Sequence, residues 1–229
     1  MPKIDARFIK KETPIFTTII DDYESINKHV KMHILTMKKQ NPQGVESNVR
    51  AWRSHWFTHK ITKVFDPLVD IMTSACDYVS EHYYNDKEAK VEPFNFWVMD
   101  YLDGDQAVHH NHFPSLYSVV YFVDVEKGCA PLIVEGEVIQ PENGMLVVFP
   151  GNLDHEVPKT KGRRIGAAGN FHLIPVDIYA EPPEPEGAEG NGPKKVYHPS
   201  IYTEDKFRSE GFKRKVAAAE KQKPTGFKP

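Results

Sequence analysis

Cysteine is scarce. The 229 residues contain two, Cys76 and Cys129. That is too few for a disulfide framework, and they lack the paired spacing of a zinc site. Long apolar runs are missing as well. None approaches the ~18 residues of a membrane span. The opening Met1-Pro2-Lys3-Ile4-Asp5 has no apolar stretch of the secretory kind. No internal repeat is visible. These absences lead us to expect a soluble, cytoplasmic protein with no membrane partner.

What is present suits an ordinary globular chain. Hydrophobic residues make up 40% and charged residues 27%. A chain of this length can bury about 70% of its unfolded surface. The net charge of -3 is unevenly spread. Residues 191–229 carry ten Lys/Arg against four Asp/Glu, which leaves 19 basic and 28 acidic residues in 1–190. An acidic body argues against a nucleic-acid-binding core. The basic tail reads as a solvated end or as a contact for an anionic partner.

Three regions follow from the pattern. In residues 1–90, Ile19, Tyr23, Ile26, Val30, Ile34 and Met37 recur at steps of three or four, the spacing of one helix face. A second helix is predicted over Phe65 to Tyr84, with Asp66 and Pro67 in its first turn. Between them, Ala51 to Phe57 is aromatic and undecided. Residues 91–176 change texture. Strands are predicted over 91–102, 117–125, 132–134, 138–140, 145–149 and 164–174, separated by turn signals such as Asn143-Gly144 and Pro150-Gly151. Many short strands at close spacing predict an antiparallel sandwich or barrel such as a jelly roll. The two N-terminal helices would brace one sheet from outside. Residues 177–229 read as a Pro/Glu/Gly-rich linker and then the basic tail.

Chemistry concentrates in the histidines. Of eleven, three lie close together: His109, His110 and His112. In an extended strand, residues i and i+2 share a face, so His110 and His112 would point together and His109 away. His155 follows the later strand and turn Phe149-Pro150-Gly151. Three neutral imidazoles could converge there on a divalent first-row metal. The bland alternative is a set of surface or hydrogen-bonded core histidines. Nine positions on, Arg164 opens the last strand. An arginine pointing into a barrel wants an anion, and its planar fork suits a carboxylate. Arg163 faces the other way and reads as an ion-pairing surface residue.

The order H-x-H, strand, Gly144-Met145-Leu146-Val147-Val148-Phe149-Pro150-Gly151, His155, then Gly162-Arg163-Arg164 resembles the iron(II)- and 2-oxoglutarate-dependent oxygenases. More narrowly it resembles the prolyl-hydroxylase-like group and the oxygenases encoded by phages of marine cyanobacteria. The resemblance covers about residues 91–176. It implies a double-stranded β-helix holding Fe(II) through a His, a carboxylate two residues on and a distal His. It implies decarboxylation of 2-oxoglutarate to succinate and hydroxylation of a protein side chain or small molecule by dioxygen. A phage origin would place it in the host cytoplasm. On this pattern His110, His112 and His155 hold the metal and Arg164 binds the distal carboxylate of 2-oxoglutarate. Tyr101, Ser118, Tyr121 and Asn170 are further candidates to line the cosubstrate pocket. Trp52, Trp56, His109 and Phe113 are candidates at the barrel mouth, with core packing as the other reading for both tryptophans. Asp103 and Asp105 are candidate outer partners of the metal ligands.

One departure stands out. His112 occupies the place of the usual carboxylate. Two other readings therefore stay open: a non-enzymatic jelly-roll binding or virion-associated protein, and a cupin-like three-histidine dioxygenase that needs no 2-oxo acid.

Overall fold

Two antiparallel sheets face each other, and helices cover the outside of one. A computed structural model describes residues 14–174; the expected linker and basic tail over 177–229 lie outside the described residues. In chain order the elements are β1 (Phe16–Ile19), α1 (Tyr23–Gln40), β2 (Val49–Arg50), β3 (Trp52–Arg53), α2 (Thr58–Ile61) and α3 (Asp66–His82). The remaining strands are β4 (Lys90–Tyr101), β5 (Gln106–His110), β6 (Tyr117–Val125), β7 (Leu132–Val134), β8 (Glu137–Ile139), β9 (Met145–Pro150), β10 (His155–Val157) and β11 (Arg164–Ile174). The large sheet runs β1-β9-β6-β11-β4-β3, and the small sheet runs β2-β5-β10-β7-β8.

The large sheet is buried on both faces, which explains its near-continuous apolar strands. On β6, Val119, Tyr121 and Val123 point to the helices, while Val120 and Phe122 point between the sheets. On β9, Leu146 and Val148 take the helix side and Val147 and Phe149 the inner side. On β4, Phe96 and Val98 oppose Trp97, Met99 and Tyr101 in the same way. Helix α3 lays Leu68, Met72, Ala75, Cys76 and Val79 on the outer face, and α1 adds Val30 and Ile34. Each such buried side chain contributes about 1.5–3 kcal/mol. No described helix is long and apolar enough to cross a membrane.

The N-terminal region does more than brace. Helix α1 begins at Tyr23, not at Ile19, because the β-branched run Phe16–Ile19 pairs with β9, Ile19 opposite Met145. The undecided aromatic stretch supplies β3, with Trp52 opposite Asp100 and Arg53 opposite Met99 on β4. Gly144, at φ 79°, lets the β8–β9 turn press on the ring of Tyr23; a Cβ there would collide with that ring.

Candidate metal centre

The antiparallel pairing of β5 with β10 sets His110 directly opposite His155. Their ring centroids are 4.2 Å apart. His112 lies just beyond the end of β5, not within a strand. Its backbone N–H donates to Gly151 O at 2.7 Å, which clips it to the turn that leads into β10. The Gly151 N–H donates to Leu116 O at 3.0 Å. Gly151 is needed for that close approach, since a Cβ would collide with Ser115 O. The result is a cluster in which one ring nitrogen from each of His110, His112 and His155 lies within 4.8 Å of the others.

Backbone carbonyls orient two of these rings. His110 Nδ1 lies 2.6 Å from Val108 O, and His155 Nδ1 lies 3.1 Å from Leu153 O. A carbonyl can only accept, so each Nδ1 carries the proton and each Nε2 is a bare donor atom for a metal. All three imidazoles are held neutral. Burial pulls His112 down to about 3, helped by the neighbouring His155 and His110. Burial and His110 pull His155 down to about 4. Burial lowers His110 too. Neutral imidazole is the ligating form, and three converging nitrogen donors fit a divalent first-row ion.

A cavity of about 40 Å³ lies beside the cluster, and Tyr101, Ser118, Arg164 and Asn170 line it together with the three histidines. Arg164 is 3% exposed. Its Nη1 donates to Ala130 O at 3.1 Å, and its guanidinium lies 4.7 Å from the centroid of Phe122 and 5.4 Å from that of Tyr101. Among the described residues no carboxylate forms an ion pair with it. A buried cation of this kind is costly without an anion, so the donor set fits a carboxylate ligand. The Tyr101 hydroxyl reaches only Met99 Sδ, at 3.7 Å, and burial pushes it up to about 12, so it stays a proton donor. Ser118 Oγ donates to Asn170 Oδ1 at 2.9 Å across the β6–β11 ladder, forming a polar patch in the same cavity.

Several expectations need correction. Tyr121 is not in the cavity. It is three residues from Ser118 on one strand and therefore on the opposite face. Its hydroxyl donates to Asn27 Oδ1 of α1 at 2.8 Å. Trp52 follows the core-packing reading: it sits in the helix-side core, its Nε1–H donating to Asn41 O. Asp105 is a turn residue whose Oδ2 accepts from Leu102 N, and neither it nor Asp103 reaches the cavity. His109 points away as expected, 66% exposed and 3.5 Å from Asp154. Asp154 stays outside the cluster, accepting from Asn111 Nδ2 at 2.8 Å. Phe113 is 77% exposed. Arg163 makes a bidentate ion pair with the buried Asp100, both bonds at 2.8 Å.

The sequence reading missed Arg53. It is fully buried, and its guanidinium stacks over Trp56 at 3.4 Å from the ring centroid. The signal was an arginine set between tryptophans, Trp52-Arg53-Ser54-His55-Trp56.

No family model and no curated protein matches the sequence. Solved structures do match. A prolyl-4-hydroxylase from Pseudomonas putida is 13% identical with a TM-score of 0.57, over 71% of this chain and 94% of that one. A prolyl hydroxylase from Trichoplax adhaerens, in complex with a hypoxia inducible factor peptide fragment, is 16% identical with a TM-score of 0.53, over 68% and 83%. The viral collagen prolyl hydroxylase of Paramecium Bursaria Chlorella virus-1, in its 2-oxoglutarate complex, is 16% identical with a TM-score of 0.50, over 69% and 96%. At such identities the likeness establishes the fold. The two facing sheets form a jelly roll like that of these prolyl hydroxylases.

Proposed function

We propose that the chain is an Fe(II)- and 2-oxoglutarate-dependent oxygenase that hydroxylates a protein side chain or a small molecule. One observation carries this reading. A single cavity holds three neutral, converging imidazoles and a buried arginine with no carboxylate partner among the described residues. That is a site for a divalent ion and, beside it, a carboxylate. The fold shared with prolyl hydroxylases supports it.

In this reading His110, His112 and His155 hold the metal. Arg164 takes the distal carboxylate of 2-oxoglutarate, Tyr101 offers its hydroxyl to the same group, and Ser118 and Asn170 complete the pocket. When bound, iron and 2-oxoglutarate supply the oxidising power, with dioxygen consumed and succinate formed. The protein keeps two ligating nitrogens bare by holding the opposite ring protons on carbonyls. Trp97, Phe149 and Leu132 give the cavity apolar walls beside the cluster. His112 in the carboxylate place leaves a bound ion its full charge. That strengthens the pull on an anionic cosubstrate. Residues 91–176 would carry the reaction, with 1–90 in support and no part assigned to 177–229.

The same histidine favours a second reading, a three-histidine dioxygenase in which Arg164 holds the substrate's own carboxylate. An anaerobic titration separates the two. Fe(II) and then 2-oxoglutarate are added to metal-free protein, and the visible charge-transfer absorption of the chelated 2-oxo acid is followed. A band that is lost in His110→Ala and weakened in Arg164→Ala supports the first reading. Iron binding without a band removes 2-oxoglutarate and leaves the second.

A further inference from the structure

Arg53 presents a donor surface that none of the described residues answers. It sits on β3 at the edge of the large sheet, opposite Met99 of β4, and Met99 lines the cavity. Its guanidinium lies 3.4 Å from the centroid of Trp56 and 5.5 Å from that of Trp97. Stacking uses the faces of a guanidinium and leaves its N–H groups pointing outward in the plane. Nε, Nη1 and Nη2 of Arg53 are all buried without an acceptor, and so is Nε1 of Trp97. Trp97 is 3% exposed, lines the cavity and stands 5.7 Å from the His112 ring. Among the described residues these four donor atoms are thus buried without an acceptor, Trp97 in the lining of the cavity and Arg53 packed against Trp56 and Trp97.

Polar groups buried in native structures are nearly always partnered, and a cation is costly to bury alone. The missing partner must accept several hydrogen bonds and carry negative charge, which describes an oxyanion. Arg164 does not fill this role twice. It lies on β11, on the other side of β4 from β3, and it is the cation assigned to the cosubstrate. Two separate cations call for two separate anions.

We infer that Arg53 and Trp97 Nε1 form a recognition subsite for an oxyanion of the primary substrate, a carboxylate or a phosphate, held next to the three-histidine centre. This rests on the oxygenase reading for the word substrate, and on the geometry alone for the anion. Burial brings the Arg53 guanidinium down to about 10, which leaves it charged at neutral pH.

The test uses inorganic phosphate and acetate as probes, titrated into the full chain with saturating 2-oxoglutarate present. Tryptophan emission is the readout, because two of the three tryptophans flank Arg53. A saturable change is expected with at least one probe. A response to phosphate identifies a phosphate site, and a response to acetate alone identifies a carboxylate site. Arg53→Gln should weaken it about tenfold to a hundredfold. Arg53→Lys keeps the charge, loses the fork and should weaken it about tenfold. The exposed Arg50→Gln should leave it unchanged. No saturable change in the wild type overturns the inference without any variant, as does a titration that neither Arg53 variant alters. The Fe(II)–2-oxoglutarate absorption is recorded on the same proteins. Its retention in Arg53→Gln supports a subsite distinct from the cosubstrate's. Its loss there shows that Arg53 holds the cosubstrate and overturns the inference. Its absence in the wild type refutes the oxygenase reading instead, while an Arg53-dependent probe response still establishes the oxyanion site.

Discussion

The two faces of the large sheet are built by different rules. On the helix side the tyrosine hydroxyls and Asn27 are answered, while the buried His59 has no hydrogen bond at either ring nitrogen among the described residues. Tyr121 donates to Asn27, Asn27 Nδ2 donates to Val123 O at 2.6 Å, and Tyr117 shares a 2.8 Å bond with Ser80. On the barrel side Ser118 pairs with Asn170, but four other polar groups are less well answered. Among the described residues Arg164 has no carboxylate, Tyr101 has only a sulfur, and the Arg53 guanidinium and Trp97 Nε1 have no acceptor. Both faces belong to the same strands, so the difference is not one of burial. On the proposed reading, the barrel face keeps costly groups in place for a ligand, whereas the helix face pairs its hydroxyls and amide for stability.

The sharpest way to break this comparison is at the metal cluster. His155→Ala should abolish retention of Fe(II), with metal content after dialysis falling to background while far-ultraviolet circular dichroism stays native. A variant that keeps its metal would remove His155 from the centre. Next comes a paired test of the two faces. Leu68→Ala on the helix side should cost about 2–5 kcal/mol in urea denaturation. Arg164→Met on the barrel side should leave the ligand-free Tm unchanged or raised, because it removes a lone buried charge. A large loss from Arg164→Met would mean that the arginine serves the fold.

Acid supplies a third test. His112 and His155 titrate near 3 and 4 when folded, against about 6.5 when unfolded. The unfolded chain therefore binds more protons in the interval between. Stability they contribute is full above about pH 6.5 and is lost as pH falls through about 4 for His155 and about 3 for His112. Metal-free protein should show this decline in its urea midpoint, and His112→Gln should flatten part of it. Identical pH profiles for the two proteins would sink the argument. The smallest effect belongs to Tyr121→Phe. It strands a buried Asn27 oxygen and should cost about 1–3 kcal/mol, with 2-oxoglutarate binding untouched. A change in that binding would return Tyr121 to the cavity.

The legible parts of the sequence were those with a local period. Strand β6 was expected over Tyr117 to Val125 and β11 over Arg164 to Ile174, and both occupy those residues. Helix α3 was expected one residue early and two late. His110, His112, His155 and Arg164 could be proposed because spacing and the family resemblance converge on them. Strands β2 and β3 were not legible. Two-residue strands carry no period, and they exist only because β4 and β5 offer edges to pair with. Tyr121 was misplaced although the period of two already separated it from Ser118.

Local chemistry, written in the chain, decided the alternation of strands, the turns between them and the presence of imidazoles able to ligate. The tertiary structure alone decided which groups meet. It set His110 opposite His155 by strand register, clipped His112 to Gly151, and left Arg53 and Arg164 buried without carboxylates. Those outcomes depend on residues far apart in sequence, and on which donors find no acceptor once the chain has closed.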